Sequence, residues 1–227
     1  MRLIARNLAL LVLAVASYEV VVAVEQSPQP VRMAKEFWPP IHSSLSFDVE
    51  FTDSATQENG QLEIVRSGPR KVGVQQYEAF DQRFQKVLGN ATFTESYRYA
   101  AKAGVVKLDS SRDRPEGREI LVLPRRLSPG FTWTLHYFDG DETHRVDNTS
   151  LTWTIEGKPL SCVLISFDGI RSNRPMHGHE VYCPGWGMVE EEQQHGNTHL
   201  LIRLRGARPG GSGQESKVQP QGSRPPG

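Results

Sequence analysis

Histidines are the residues whose type and spacing come nearest to a metal site. His177 and His179 form an H-x-H step, and on a β-strand this spacing places both rings on one face. His136 and His144 flank an Asp139-Gly140 turn signal, across which they could be near neighbours. Neither pair supplies three ligands at a spacing typical of zinc. We therefore predict no metal ligand, with His177 and His179 as weak candidates, and interpret the histidines as solvated side chains.

The two cysteines of the chain, Cys162 and Cys183, are candidates for a disulfide. If segments 162–167 and 180–183 pair as an antiparallel hairpin, the two thiols face each other across it. In a compartment that oxidises thiols we predict that they are bonded. The alternative is two buried free thiols. A redox-active C-x-x-C pair is absent from the sequence.

No motif for catalysis or for a phosphate-binding cofactor is present. The sequence has no G-x-S-x-G and neither of the glycine-rich phosphate loops. Asp81, Glu95 and Asp109 could meet as carboxylates, but nothing in their spacing indicates it. We predict no catalytic residue and no cofactor. Asn90 and Asn148 begin N-x-S/T sequons, which matter only in a eukaryotic secretory pathway.

The charge balance gives no reason to expect a nucleic-acid partner. The 227 residues include 26 Lys and Arg and 26 Asp and Glu, so the formal net charge is zero. Nucleic-acid binding usually shows a basic excess, since phosphate contacts dominate its affinity. We therefore expect no nucleic-acid partner; the sequence leaves the partner unknown, and an envelope or surface protein and an apolar ligand are the candidates.

The two ends of the sequence do not have the composition of a folded domain. Residues 1–23 begin with a basic segment, continue with the apolar run LALLVLAV and contain small residues typical of a cleavage site. This pattern predicts a signal peptide and export to the periplasm or the extracellular space. Residues 24–37 are expected to form an extended linker. Residues 205–227 are rich in Gly and Pro and are predicted to be disordered. No other stretch is apolar enough to span a membrane, so we expect no transmembrane span in the mature chain.

The middle of the chain, residues 38–204, has the pattern of an all-β domain. Leu45, Phe47 and Val49 alternate with polar residues, and similar short runs recur between Gly and Pro turn signals. This predicts a single antiparallel β-domain of about ten short strands, arranged as a curved sheet, half-barrel or sandwich. The segment Tyr77–Leu88 is ambiguous, because Phe80 and Phe84 have the spacing of a helix face and a strand with a polar loop is the alternative.

Several motifs in the second half resemble a family of small exported bacterial proteins, some of whose members are labelled TapB-like. Leu123-Pro124 with Leu127, Gly130 and Trp133 fits its L-P-x-x-L-x-x-G-x-x-W step. The segments 99–108, 157–163 and 182–189 fit its other strand motifs, so the resemblance covers about residues 95–195. It implies an exported β-protein of unknown function and carries over no catalytic residue.

Binding is the function that this sequence favours. An all-β exported domain without a catalytic set suits a non-enzymatic binding protein or an accessory protein of envelope or surface assembly. Trp133, Tyr182 and Trp186 are the candidate binding residues, with core packing as the alternative role of Trp186. The alternative functions are an exported hydrolase with a site assembled from scattered residues and a purely structural envelope protein.

Overall fold

A computed structural model of the protein describes residues 28–41, 43–111 and 114–208. These residues form fourteen β-strands and two single-turn 3₁₀ helices, Ala34–Glu36 and Leu88–Asn90. The strands are β1 (Arg32–Met33), β2 (Ser44–Thr52), β3 (Gln57–Val72), β4 (Gln75–Gln85), β5 (Thr92–Ala100), β6 (Gly104–Ser111), β7 (Arg114–Pro124), β8 (Arg126–Leu127), β9 (Thr132–Tyr137), β10 (Gly140–Ile155), β11 (Lys158–Arg171), β12 (Arg174–Cys183), β13 (Gly187–His195) and β14 (Thr198–Arg208). The predicted signal peptide and residues 209–227 of the predicted tail lie outside the described residues.

Twelve of the strands form one antiparallel sheet built from two meanders. Strands β2 to β7 pair in chain order, strands β9 to β14 do the same, and β14 joins the two series by pairing with β2. Strands β1 and β8 form a separate two-stranded sheet. The all-β antiparallel fold predicted from the sequence is confirmed.

The sheet curves so far that its two edge strands, β7 and β9, meet. Trp133 Nε1 on β9 donates to the Leu121 carbonyl on β7 at 3.2 Å. The Arg118 guanidinium on β7 donates to the carbonyl of His136 on β9. These contacts run from side chains to the backbone, and β7 and β9 are not paired in a backbone ladder. The sheet therefore encloses an interior and has a seam at the β7–β9 edge.

The ambiguous segment 77–88 is a strand for most of its length. Residues up to Gln85 belong to β4, and only Leu88–Asn90 makes a single 3₁₀ turn. The helical interpretation is therefore wrong. Phe80 and Phe84 are both buried on one face of β4, because a separation of four residues fits a period of two as well as a helical period.

Residues 32–41, which we call the N-terminal cap, lie against the sheet. The Ala34 amide donates to the Arg125 carbonyl at 3.1 Å, and β1 pairs with β8. At the other end of the cap, the Ile41 amide donates to the Gly185 carbonyl at 2.8 Å, and the Gly185 amide donates to the Glu36 carbonyl at 2.9 Å. The cap thus connects the β8 segment with the turn between β12 and β13.

Two apolar clusters hold the sheet and the cap together. One contains Phe37 of the cap with inner residues of β6 to β12, including Leu127 and Ile165. The other joins β2, β3 and β4 to the end of the sheet that carries Cys162 and Cys183. Both clusters draw on strands distant in the chain, so the curvature of the sheet is fixed by packing across its interior.

Strand β14 continues to Arg208, beyond the predicted domain boundary at Leu204. Gly206 and Ala207 pair with Ser46 and Leu45 after a bulge. The residues of β14 beyond Leu204 lack an alternation of apolar and polar side chains, so the sequence pattern did not predict that the strand continues to Arg208.

None of the helices that the described residues form has the length and apolar character needed to cross a bilayer.

Candidate functional site

The interior of the curved sheet contains a cavity of about 440 Å³. Its wall combines aromatic rings with ionisable side chains. The aromatic residues are Phe37, Trp38, Phe80, Tyr97, Tyr137, Phe167 and Tyr182. The charged residues are Glu95, Lys107, Asp139, Glu142, Arg171, Glu180 and Glu191. A volume of this size suits a small organic molecule.

Strand alternation decides which polar residues reach the cavity. On β13, Glu191 and Gln193 line the cavity, while Glu192 and Gln194 line a groove on the outer face. Glu180 on β12 is the direct cross-strand partner of Glu191. Residues directly opposite in an antiparallel pair have neighbouring side chains on the same face. Two carboxylates therefore lie side by side in the cavity wall.

One end of the charged wall is the pair of Glu95 on β5 and Lys107 on β6. The Lys107 ammonium contacts Glu95 Oε1, and the Tyr97 hydroxyl and the Gln82 amide donate to Glu95 Oε2 at 2.5 Å each. Burial raises the pKa of Glu95, but Lys107 and these donors outweigh it, so the pKa is lowered. Glu95 is therefore a fully partnered anion.

The other charged group centres on Arg171 of β11. Its Nη1 donates to Glu142 Oε1 at 2.6 Å, and its Nε donates to Asp139 Oδ1 at 2.5 Å. The guanidinium lies 3.7 Å from the centroid of the Tyr137 ring. Glu142 also contacts His144 Nε2 at 3.2 Å. Arg171 is thus held by two carboxylates and one aromatic face.

The carboxylates of Glu180 and Glu191 have fewer hydrogen-bond donors than Glu95 and Glu142, and neither forms an ion pair within the described residues. Glu180 accepts from the Tyr182 hydroxyl at 3.1 Å. Among the described residues, the Glu191 carboxylate has no hydrogen-bond or ion-pair partner. Burial, and then the negative charge of Glu180, raises the pKa of Glu191 to about 8. Burial likewise raises the pKa of Glu180. Such a pair retains a proton near neutral pH unless a ligand supplies positive charge.

Three aromatic rings form a connected group on the cavity wall, and we call them the aromatic triad. The ring centroids of Trp38 and Phe80 are 4.9 Å apart, those of Trp38 and Tyr97 are 5.1 Å apart, and those of Phe80 and Tyr97 are 6.1 Å apart. Lys107 Nζ lies 5.8 Å from the Tyr97 centroid. Trp38 comes from the cap, so the cap provides part of the cavity wall.

The H-x-H step lies on the outer face, away from the cavity. His177 and His179 both line the outer groove, as their spacing on a strand predicts. His179 contacts Glu190 Oε1 at 3.2 Å, and His199 contacts Glu192 Oε1 at 3.0 Å. Across the part of the chain that the structure describes, no three His, Cys, Asp or Glu side chains are arranged to hold a metal ion.

The structure does not bring the side chains of His136 and His144 together. His136 pairs in register with Asp141, and its Nδ1 contacts the Asp141 carboxylate at 2.9 Å on the exposed face. His144 pairs with Trp133 and is buried, with its ring centroid 5.2 Å from that of Trp133. The two histidines occupy opposite faces because Trp133, the residue opposite His144, lies an odd number of positions (three) from His136 on β9.

Of the three predicted binding residues, only Tyr182 lines the cavity. Trp133 is buried in the cluster that contains Phe37, and its indole donates to the β7 edge. Trp186 is buried in the cluster around the cysteines. The core interpretation of Trp186 therefore agrees with its placement, while Trp133 closes the seam.

The Cys162–Cys183 disulfide is formed in the structure, with its Cα atoms 4.4 Å apart. Both cysteines are fully buried. Cys183 precedes the turn whose Gly185 exchanges hydrogen bonds with the cap. Gly187, the first residue of β13 after this turn, has a φ of 76°, and a Cβ there would lie 3.0 Å from Pro40 Cγ of the cap. The disulfide thus anchors the turn on which the cap rests.

The remaining sequence candidates do not assemble into one site. Asp81 pairs with Thr94, whereas Glu95 pairs with Phe80, so these two carboxylates lie on opposite faces. Asp109 contacts Arg118 Nε at 3.9 Å. Asn90 is exposed, and Asn148 Oδ1 accepts hydrogen bonds from Ser150.

Sequence reasoning missed most of the cavity's charged residues, notably Lys107, Glu142, Arg171, Glu180 and Glu191. The sequence contains one indication of polar residues on the inner face: residues 190–195 are polar at both odd and even positions. A strand that is polar on both faces either lies at the surface or faces an internal cavity.

No protein-family model and no curated protein matches this chain. Two solved structures are similar in fold. One is a protein from Bacteroides fragilis NCTC 9343 inferred to be exported, with a YmcC-like fold; it has 12% identity and a TM-score of 0.48, with 74% of this chain and 96% of that chain covered. The other is a protein from Parabacteroides distasonis ATCC 8503 inferred to be a lipoprotein; it has 10% identity and a TM-score of 0.44, with 76% and 98% covered. The likeness to TapB-like proteins stays a prediction.

Proposed function

We propose that this chain is an exported, non-enzymatic protein that binds a small molecule in the interior cavity. The observation that carries the proposal is the cavity itself, whose wall combines aromatic faces with converging ionisable groups. Apolar pockets with a few directed polar groups are the usual form of small-molecule sites. Export is supported by the predicted signal peptide and by the disulfide, which forms in oxidising compartments.

The cavity supports this role better than the sheet edges support strand addition. A partner strand requires an open edge with unpaired backbone groups. At the seam, carbonyls of both β7 and β9 accept hydrogen bonds from the opposite strand's side chains. An accessory role in envelope or surface assembly would therefore act through the bound molecule or the outer face.

The test compares two substitutions at adjacent positions that face opposite sides of β13. Gln193→Trp places an indole in the cavity, and Gln194→Trp places one in the outer groove. Protein purified from the producing organism is analysed by native mass spectrometry, and released compounds are identified after denaturation. We expect a bound compound in the wild type and in Gln194→Trp, and its loss from folded Gln193→Trp.

The proposal is refuted if wild-type protein carries no compound and no extract of small molecules from that organism raises its melting temperature. Retention of the compound by a folded Gln193→Trp variant would place binding elsewhere. Circular dichroism and the melting temperature confirm the fold of each variant before comparison.

A hydrolase is the second candidate, favoured by the Glu180–Glu191 pair. Adjacent carboxylates with raised pKa values in a cavity are typical of acid–base catalysis. Chromogenic glycosides and esters would detect such activity, and it should fall at least about a hundredfold in Glu191→Gln while Glu192→Gln retains it.

A further inference from the structure

The charge of the cavity wall indicates which class of ligand it takes. Seven Asp, Glu, Lys and Arg side chains line the wall, and five of these seven are carboxylates. Lys107 is held by Glu95, and Arg171 is shared by Asp139 and Glu142. The two bases are therefore already engaged, and Glu180 and Glu191 remain without a cation.

The two carboxylates without a cation, Glu180 and Glu191, lie next to each other. Glu180 and Glu191 are cross-strand partners on the inner face, and Tyr182 donates to Glu180 alone. Leaving a carboxylate inside a protein without a cation or several donors is costly. A bound cation would remove that cost, whereas a bound anion would increase it.

The aromatic triad supplies the second part of a cation site. Trp38, Phe80 and Tyr97 line the same cavity as the carboxylate pair. Aromatic faces attract alkylammonium groups through their quadrupole and bury the attached methylene or methyl groups. An aromatic wall also favours an organic cation over a metal ion, and among the described residues no metal-ligand cluster is present.

We propose that the cavity binds a small organic cation, an amine or quaternary ammonium, whose charge lies at Glu180 and Glu191 and whose carbon groups contact the aromatic triad. This inference rests on the proposed function and specifies its ligand. The cation takes the place of the proton that the carboxylate pair otherwise retains, so binding releases a proton near neutral pH.

The pH dependence follows from the groups that face the pair. These are Tyr137 on β9, Glu142 and His144 on β10, Lys107 on β6, Glu95 on β5 and Tyr182 on β12. Burial raises the pKa of Glu191 to about 8, so below that pH the cation must displace a proton. We expect affinity to rise by up to about tenfold per pH unit between pH 6 and 7 and to level off above pH 8.

The experiment uses two cations and their neutral counterparts on the secreted protein. The cations are choline and 1,4-diaminobutane, and the neutral counterparts are 3,3-dimethyl-1-butanol and 1,4-butanediol. Isothermal titration calorimetry at pH 7.5, in two buffers of different ionisation enthalpy, measures affinity and the number of protons released. At least one cation should bind at least about tenfold more tightly than its neutral counterpart and release a proton.

Variants at adjacent positions test the site. Glu191→Gln should weaken binding of the cation at least about tenfold and abolish the release of a proton. Glu180→Gln is the second variant if Glu191→Gln does not fold. Glu192→Gln, on the outer face of the same strand, should leave the affinity within about twofold of wild type.

Three outcomes would overturn the cation assignment: equal binding of cations and neutral counterparts, no binding of either cation, or unchanged binding in folded Glu191→Gln. The proposed function is judged separately. A neutral compound that co-purifies with wild type and is lost from Gln193→Trp would uphold cavity binding and overturn the cation. Absence of any bound compound would overturn both.

Discussion

Reduction of the Cys162–Cys183 bond should lower the stability of the fold and release the N-terminal cap. The bond joins β11 to β12 across a sequence separation of 21 residues. The turn that follows Cys183 holds the cap through the Gly185 backbone. The perturbation is refolding from urea with or without a phosphine reductant, which changes the bond and no side-chain volume.

The expected magnitude follows from the closed loop. For a loop of this length, the chain-entropy model gives about 3 kcal/mol of stabilisation from the unfolded state. At the size of this β-domain, that loss corresponds to a fall of about 6–12 °C in melting temperature. Losing the anchor of the turn should also increase hydrogen exchange at the amides of Gly185 and Ile41.

The assay is urea unfolding followed by circular dichroism, with hydrogen exchange measured in parallel under native conditions. The Cys162→Ala/Cys183→Ala variant is the control, since the reductant should not change its midpoint. A difference below about 1 kcal/mol between oxidised and reduced wild type would refute the loop argument. Unchanged exchange at Gly185 and Ile41 would refute the link between the bond and the cap.

Three other perturbations should give measurable changes. Burial raises the pKa of Glu191 to about 8 in the folded state, so the protonated side chain contributes its full stability at acidic pH, and this contribution is lost as the pH rises through 8. Between pH 5 and 8, the free energy of unfolding of the wild type should therefore fall relative to that of Glu191→Gln. Urea unfolding should show a fall on the order of a few kcal/mol. Gly178→Ala should lower the melting temperature strongly, because the added Cβ would lie 2.0 Å from the Glu192 carbonyl oxygen. Gly206→Ala is the control and should not lower it, because no atom lies within 4 Å of the added Cβ. An equal fall in both variants would contradict the packing argument. Trp133→Phe should cost about 1 kcal/mol through loss of the indole bond to Leu121 and should raise hydrogen exchange along β7 and β9; unchanged exchange there would show that the seam does not depend on it.

The sequence predicted the fold where one face of a strand is apolar. Leu45, Phe47 and Val49 are buried on β2, as their alternation indicates. The hairpin between β11 and β12 also followed from local spacing, which brought Cys162 and Cys183 together. Such predictions depend on period and on turns, and both are local properties of the chain.

The cavity could not be predicted in the same way. Glu95 and Lys107 belong to the first meander, while Glu180 and Glu191 belong to the second, and they share one interior only because the sheet curves. Charged residues in the sequence suggest a solvated face, since burial of a charge is costly. Their partial burial here depends on contacts between strands far apart in the chain.

Pairing of β14 with β2 also bears on the order of folding. Strand β14, the last strand of the described residues, lies in the middle of the sheet, beside the first long strand, β2. Hairpins of each meander can form locally, but the ladder that joins them requires the carboxyl-terminal strand. For a chain that crosses a membrane amino terminus first, β2 therefore keeps an unpaired edge until translocation is almost complete. Such an edge invites pairing with other chains until β14 covers it.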